Sequence, residues 1–421
     1  MQIPAQFNSD DFRIENGILI RYTGIGKDVT VPHGVTAIGD GAFSDRRDLT
    51  RIHIPDGVTS IGENAFLRCS ALTDVQIPDS VRVIGGRAFC YCRDLPSLRL
   101  PKALTRISYG LFNGCTNLKS VTVPDGITHI ENCAFEDCEE LADIHLPDSV
   151  RVIGERAFLS CQSLTQVRIP DRVRKIGMST FLYCDSLTSV HIPSGVTDIG
   201  TWAFRNCREL TAIHIPDGDT SIGNGAFENC TELRSIRIPS GVTQIGHDTF
   251  RGCSSLTEVY LPDGVTDIDE AAFEDCRSLI RISLPDALTH LGERAFRNCE
   301  GIREMRLLPT GDPTLACEIA QAIGYEMLAS VYLCGSLETS DAVITAIVRF
   351  LKPPKIRKTV MSGLIREKCA FAIVRFLSLP FKFTAKETDG YILQTADTPE
   401  LRILFMNYRR EHFASDDPFA L

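Results

Sequence analysis

Proline recurs every 23 residues through most of this chain, and phenylalanine keeps the same step, with no insertion or deletion between copies. A coil of 23 residues has no interior, so one copy cannot bury its own leucine, valine, isoleucine and phenylalanine side chains. Copies that stack in register bury them together, and the chain is therefore predicted to fold as a solenoid. The repeated prolines are Pro32, Pro55, Pro78, Pro101, Pro124, Pro147, Pro170, Pro193, Pro216, Pro239, Pro262 and Pro285. The repeated phenylalanines are Phe43, Phe66, Phe89, Phe112, Phe135, Phe158, Phe181, Phe204, Phe227, Phe250, Phe273 and Phe296.

Within one copy, such as Ile54 to Gln76, the pattern predicts a strand, a turn and a second short extended piece. The strand alternates apolar and polar residues, which is typical of a strand with one buried face. Proline ends the strand, and Asp56-Gly57 supplies the residues of a turn. The segment "ENAFLRC" is too short for a helix, so we expect one 3₁₀ or α turn that places Ala65 and Phe66 inside. Coils about 4.8 Å apart would then stack like residues on like.

The repeat resembles the BspA-type leucine-rich repeat, through copies such as "LTDVQIPDSVRVIGGRAF" with a cysteine three residues after the phenylalanine and a leucine three after the cysteine. The resemblance covers about residues 12 to 306, and "FRIENGILIRYTGIGKDVTVP" resembles the hairpin cap of such proteins. A cap is physically required, because an open end would expose the core and a strand edge. The resemblance implies a leucine-rich repeat solenoid of about 12 repeats, mostly β with short 3₁₀ or α turns. It also implies a surface-exposed binding protein, since many members are adhesins that contact host proteins.

Three domains are predicted: a capping hairpin at residues 1–30, the leucine-rich repeat solenoid at 31–306, and an all-α domain at 307–421. The last domain has helical signals, as in "TPELRILFMNYRREHF", where Thr398 and Pro399 are typical of a helix start. The segments "GDPTLACEIAQAIG" and "TSDAVITAIVRFLKPP" predict further helices. This domain either caps the open end of the solenoid or acts as a second docking module.

Eleven of the sixteen cysteines share one repeat position and are predicted to form a column inside the coils. A thiol there packs as a small core residue and donates weakly to a nearby carbonyl. Disulfides and metal sites are disfavoured, because a ladder of parallel Cβ vectors lacks disulfide geometry and the column lacks the CxxC grouping of zinc ligands. Reduced cysteine favours a reducing compartment. The column comprises Cys69, Cys92, Cys115, Cys138, Cys161, Cys184, Cys207, Cys230, Cys253, Cys276 and Cys299.

A column of polar residues is predicted to line the concave face, because the residue between the last two inward positions of each strand must point outward. The column carries histidine and arginine but no acid, on a chain that is acidic elsewhere. It is predicted to dock an acidic or mixed-charge protein segment or a glycan, with arginine and tyrosine as anchors. The alternative is that exposed strand positions simply carry soluble residues. The candidate binding residues are His53, Arg99, His145, Arg168, His191, His214, Arg237, Tyr260 and Arg306.

Charge and missing motifs disfavour several classes of function. Lys plus Arg at 44 against Asp plus Glu at 54 gives a net charge of −10, which disfavours nucleic acid and anionic membranes as partners. No apolar run approaches the roughly 18 to 20 residues of a membrane helix, and "MQIPAQFNSDDF" lacks a signal-peptide pattern. We therefore expect a cytoplasmic protein or, alternatively, one that reaches the cell surface or the medium by a non-standard route. No phosphate loop, GxSxG or HExxH motif is present, so we expect no enzyme, cofactor or metal site.

These patterns predict a monomeric, non-enzymatic protein-binding scaffold that recognises its partner through many weak contacts on the concave face. One alternative is a surface or exported adhesin or effector that binds host proteins or glycans. A further alternative is a structural element that associates with itself.

One copy departs from the repeat at Asp219, in "PDGDTSIG", where the other copies have valine, isoleucine or leucine. A buried unpaired carboxylate costs several kcal/mol, roughly, unless it is protonated or hydrogen-bonded. We therefore predict a local opening of the solenoid at this copy.

Overall fold

Two columns of short parallel strands run along the repeats in the computed structural model, one of three-residue strands and one of two-residue strands. Paired residues are 23 positions apart, as in Arg51–His53 with Asp74–Gln76, so like residues lie on like. The predicted leucine-rich repeat solenoid is confirmed. The structure describes residues 9–218, 220–285, 287–306, 337–338, 351, 354–366, 370–379 and 383–413.

The strands are numbered in chain order, starting with an antiparallel hairpin of β1 Phe12–Glu15 and β2 Ile18–Tyr22. The three-residue strands are β3 Asp28–Thr30, β5 Arg51–His53, β7 Asp74–Gln76, β9 Ser97–Arg99, β11 Ser120–Thr122, β14 Gln166–Arg168, β16 Ser189–His191, β19 Ser235–Arg237, β21 Glu258–Tyr260, β23 Arg281–Ser283 and β25 Glu304–Arg306. The two-residue strands are β4 Ala37–Ile38, β6 Ser60–Ile61, β8 Val83–Ile84, β10 Arg106–Ile107, β12 His129–Ile130, β13 Val152–Ile153, β15 Lys175–Ile176, β17 Asp198–Ile199, β18 Ser221–Ile222, β20 Gln244–Ile245, β22 Asp267–Ile268 and β24 His290–Leu291. The copies around His145 and His214 lack a three-residue strand.

The segment that follows each two-residue strand and contains the repeated phenylalanine forms turns that differ from a helical turn. In residues 63–68, the N–H groups of Asn64, Phe66 and Arg68 donate to carbonyls of the next coil at 2.8 to 3.0 Å. The N–H groups of Leu67 and Cys69 donate instead to carbonyls three residues earlier. Asn64 and Arg68 have φ of 54° and 59°, in the left-handed region, so the turn cannot continue as a helix. The predicted single turn is therefore present as two i→i+3 turns that are bonded to the neighbouring coil.

The twelve repeated phenylalanines form one continuous column of stacked rings inside the solenoid. Neighbouring ring centroids lie 5.1 to 6.1 Å apart, with interplanar angles of 1° to 19°. Every one of these side chains is fully buried. The column is the axis of the core, and each ring contacts the rings of the coils before and after it.

The cysteine column lies beside the phenylalanines, and its predicted burial and bond to a carbonyl are confirmed. Each of the eleven thiols donates to the carbonyl oxygen of the phenylalanine 26 residues earlier, at 3.1 to 3.3 Å. Burial raises the pKa of Cys69 and of Cys253 to about 12. A buried thiol with a raised pKa is chemically inert. The column is therefore compatible with an oxidising compartment as well as a reducing one.

The hairpin of β1 and β2 lies at the amino-terminal end of the solenoid. Its turn uses Asn16-Gly17, with φ of 52° and 77°, the residue pair typical of a two-residue hairpin turn. Strand β2 pairs with β4, and the Tyr22 ring lies 5.3 Å from Phe43 and so extends the aromatic column. Strand β3 already pairs with β5 in the 23-residue register. The domain boundary at residue 31 stays a prediction.

The repeat position after each stacked phenylalanine carries alternating charges in the later coils, a feature that the sequence reading missed. Arg205 Nε lies 3.1 Å from Glu228 Oε2, and Arg251 Nε lies 3.3 Å from Glu274 Oε2. Arg297 Nη1 lies 3.7 Å from Glu274 Oε1. Both glutamates are buried, and burial raises the pKa of Glu228. Ion pairs between successive coils thus replace apolar contacts at this position.

Four helices are described in the carboxyl-terminal part: α1 Pro354–Arg366, α2 Ala370–Leu377, α3 Ala385–Gln394 and α4 Pro399–His412. Helix α4 begins at the predicted proline and buries Leu401, Phe405 and Tyr408. One element of this part is not helical, because Leu337–Glu338 forms β26 and pairs with β25. Among the described helices, none combines the length and the apolar character that a membrane crossing requires.

Several predictions lie outside the described residues. They are the helix at 312–324, most of the helix at 341–351, and the opening at Asp219. Arg306 ends strand β25, but its side chain also lies outside the described part.

Candidate functional site

The predicted binding residues lie on the solvent side, most of them at the end of a three-residue strand; His145 and His214 lie in the two copies that lack such a strand. In the three-residue strands whose side chains are described, the middle residue packs against the core, as Ile52 and Val167 do, and the next residue is exposed. We call the exposed column the stripe. Its predicted members with described side chains, all exposed, are His53, Arg99, His145, Arg168, His191, His214, Arg237 and Tyr260.

Two arginines of the stripe are bonded to aspartates of the preceding coil. Arg99 Nη2 donates to both carboxylate oxygens of Asp79, at 2.9 and 3.0 Å, and Arg168 Nη1 donates to Asp148 Oδ1 at 2.9 Å. The hydrogen bond from Arg99 lowers the pKa of Asp79. In both pairs the arginine follows the aspartate by 20 residues. The stripe itself contains no acid, and these two pairs with aspartates outside it neutralise part of its charge.

Arg237 also follows an aspartate by 20 residues, but its side chain makes no hydrogen bond or ion pair within the described chain. The turn that carries Asp217 has an unusual conformation. Gly218 has φ of 146°, whereas at the same repeat position Gly34 has φ of 89° and Gly57 and Gly264 have no positive φ. The coil with the unusual turn is the coil in which the sequence departs from the repeat. A 20-residue spacing therefore permits the pair but does not ensure it.

The free arginine is the centre of a cluster of exposed side chains that we call the central patch: His191, His214, Arg237 and Tyr260. These residues come from four successive coils, with parallel bridges joining His191 to His214 and strand pairing joining Arg237 to Tyr260. Tyr260 is 60% exposed and donates its hydroxyl to Glu258 Oε2 at 2.8 Å. This hydrogen bond raises the pKa of Tyr260. The central patch thus combines two imidazoles, an aromatic ring and a guanidinium group that is unpaired among the described residues.

Two adjacent histidines could serve as metal ligands if a third ligand lay nearby. Within the described ranges, no three His, Cys, Asp or Glu side chains come together as a metal site would require. His191 and His214 are adjacent, and the structure brings no third ligand of these types to them.

Comparison with known proteins gives the family of the chain. A family model described as "BspA type Leucine rich repeat region (6 copies)" matches residues 22–142, 105–234 and 220–311. These ranges extend over more than half of the 421 residues. The chain belongs to the BspA-type leucine-rich repeat family. Comparison of this BspA-type chain with curated proteins gives no match.

Solved structures of bacterial leucine-rich repeat proteins are also similar. A leucine rich cell surface protein from Faecalibacterium prausnitzii is 30% identical over 72% of this BspA-type chain and 95% of its own, with a TM-score of 0.48. A leucine-rich repeat protein from Bacteroides ovatus is 28% identical over 68% of this chain and 79% of its own, with a TM-score of 0.49. One from Eubacterium ventriosum is 26% identical over 68% and 83%, with a TM-score of 0.48.

Proposed function

We propose that this protein is a non-enzymatic scaffold that binds another protein on the stripe, with the central patch as the anchor. The observation that carries the proposal is the exposed Arg237 side chain, which has no carboxylate partner among the described residues and lies beside Tyr260. Arginine and tyrosine are enriched among the residues that dominate binding energy at protein interfaces. An unpaired guanidinium offers its donors to a carboxylate of the partner without first breaking a pair.

An acidic segment is the partner that this surface supports best. The neutralised arginines Arg99 and Arg168 precede Arg237 along the stripe, and of its three arginines with described side chains Arg237 alone makes no ion pair with a described residue. The two imidazoles beside it can donate or accept hydrogen bonds. An extended acidic peptide could therefore place a carboxylate on Arg237 and polar groups along His191 and His214. Recognition along several coils sums weak contacts, as repeat proteins do.

The test compares capture of proteins by the immobilised full chain with capture by two variants. The variant His214→Glu with Arg237→Glu reverses the charge of the central patch. The matched control, Arg82→Glu with Arg151→Glu, changes two exposed residues next to the two-residue strands. We expect a partner that the wild type and the control retain and that the patch variant loses. Equal retention by all three proteins, with equal circular dichroism spectra, would refute the central patch as the anchor.

A second candidate function is that of a surface or exported adhesin or effector. Family membership supports it, because the BspA-type resemblance implies surface-exposed binding proteins. The buried cysteine column is compatible with this location, since inert thiols tolerate an oxidising compartment. Cell fractionation with protease treatment of intact cells separates the candidates: digestion of the chain outside the cell supports the adhesin, and protection supports the cytoplasmic scaffold.

Self-association is tested by sedimentation. We expect a monomer across the micromolar range, because the exposed stripe is polar and offers little apolar area to a second copy. A dimer in that range would favour the structural alternative.

A further inference from the structure

A basic cavity lies on the turn surface of the first three coils, away from the stripe. It has a volume of about 320 Å³ and is lined by Arg47, Arg68, Ser70, Tyr91 and Arg93. None of these residues belongs to the stripe, so the cavity is a separate feature of the surface. Three guanidinium groups in one cavity are unexpected on a chain with a net charge of −10.

The 23-residue register brings these side chains together. Arg68 and Tyr91 occupy one repeat position, and Arg47, Ser70 and Arg93 occupy another, so the cavity draws on three successive coils. Arg68 and Tyr91 both have φ of 59°, and their N–H groups donate to carbonyls of the next coil at 2.8 and 2.7 Å. The backbone under the cavity is therefore held from coil to coil.

The cavity has more positive than negative charge. The nearest acid is Asp45, whose Oδ1 atom lies 3.7 Å from Arg47 Nη2 and 3.8 Å from Arg68 Nη1. These distances are too long for hydrogen bonds, in contrast to the 2.9 Å bond of Arg99 in the stripe. The Arg93 guanidinium lies 5.9 Å from the centre of the Tyr91 ring and has no carboxylate within 4.0 Å in the described chain. Most of the N–H donors of the three arginines thus remain available.

Hydroxyl and aromatic groups complete the cavity. The Ser70 hydroxyl has no hydrogen-bond partner among the described residues, so it too can donate. The Tyr91 ring is partly exposed and lies against Gly114, where an added Cβ would be only 2.3 Å from Tyr91 Cδ1. The ring therefore forms one side of the cavity, and only a glycine at position 114 leaves enough space for it.

We propose that this cavity binds the sulfate ester of a sugar. Convergent guanidinium groups and a hydroxyl match a tetrahedral oxyanion, since arginine presents its donors to such oxygens in a planar fork. Three arginines against one aspartate suit a single sulfate group. A long polyanion such as nucleic acid would extend beyond the cavity along a chain with a net charge of −10, which disfavours its binding. The partly exposed Tyr91 ring provides an amphipathic surface for the sugar that carries the ester.

The test uses isothermal titration of the full chain with N-acetylglucosamine 6-sulfate, unsulfated N-acetylglucosamine and inorganic sulfate. We expect the sulfated sugar to bind at least tenfold more tightly than inorganic sulfate and the unsulfated sugar to show no binding. Affinity should fall as salt is raised, because the contact is electrostatic. Equal affinity for the sulfated sugar and inorganic sulfate would show that the cavity binds only the free ion, and would overturn the proposal that it recognises a sugar sulfate. Absence of binding by either sulfate probe would overturn the site.

Two variants distinguish the cavity from general charge effects. Arg68→Asn with Arg93→Gln removes two charges, and asparagine tolerates the left-handed conformation at position 68. The matched control, Arg82→Gln with Arg151→Gln, removes the same charge from exposed positions elsewhere. We expect at least a tenfold loss of affinity in the first variant and less than a twofold change in the second. Equal losses in the two variants would overturn the assignment of binding to this cavity.

Discussion

Replacing Phe158 by alanine tests whether the phenylalanine column stabilises the solenoid as the geometry indicates. The Phe158 side chain is fully buried, and its ring lies 5.3 Å from Phe135 and 5.5 Å from Phe181, with interplanar angles of 3° and 2°. The substitution removes the buried ring and leaves a cavity between two coils. Phenylalanine-to-alanine substitutions in cores lower the free energy of unfolding by about 3–5 kcal/mol. We expect the upper half of that range, because the substitution removes the contacts of Phe158 with a neighbouring ring on each face.

Phe158→Leu separates ring stacking from burial. Leucine retains most of the apolar area but removes both ring pairs, and each pair contributes about 0.5–1.5 kcal/mol. The leucine variant should therefore lose about 1–3 kcal/mol, clearly less than the alanine variant. The control is Val152→Ala in the same coil, where the side chain is 44% exposed and the expected change is within about 0.5 kcal/mol.

The assay is urea unfolding combined with native-state hydrogen exchange. A repeat array can open locally, so the exchange of amides near Phe158 reports the loss more directly than a global midpoint. Its own N–H donates to the Thr180 carbonyl at 3.0 Å, and this amide should exchange faster in the alanine variant. A loss below about 1 kcal/mol for alanine would refute the role given to the column. Equal losses for alanine and leucine would refute a contribution from ring stacking.

Three further predictions concern charge. Asp219→Val should raise the melting temperature, because it restores the apolar residue of the other copies; an unchanged or lower temperature contradicts this. Arg99→Ala should raise the pKa of Asp79 towards its ordinary value in an NMR titration. The lowered pKa of Asp79 contributes stability above its unfolded pKa, and this contribution is lost as pH falls through the folded value. Burial raises the pKa of Glu228 in the folded state, so its contribution to the free energy of unfolding is lost as pH rises through the folded-state pKa. Glu228→Gln should therefore make the free energy of unfolding depend less on pH in that range. An unchanged pH dependence in either variant would contradict the corresponding assignment.

The sequence by itself determined the features that depend only on the repeat period. A strict 23-residue step makes residue i the neighbour of residue i+23, so the phenylalanine stack, the cysteine column and the exposed stripe follow from one spacing. Burial of apolar side chains then has a single solution, which is to stack the copies. Asn16-Gly17 in the hairpin and Pro399 at the start of α4 were predictable too, because turns and helix ends depend on local residue chemistry.

Only the tertiary structure decided which charged side chains meet. Long side chains reach into neighbouring coils, and Arg99 bonds to Asp79 whereas Arg237 makes no ion pair with a described residue, although each arginine follows an aspartate by 20 residues. The left-handed backbone conformation of Arg68 and Tyr91 was also not predictable, because neither residue type favours a positive φ. Their N–H groups donate to carbonyls of the next coil, and these hydrogen bonds hold the conformation. The period therefore determines the core, and contacts between coils determine which charged side chains of the surface are paired.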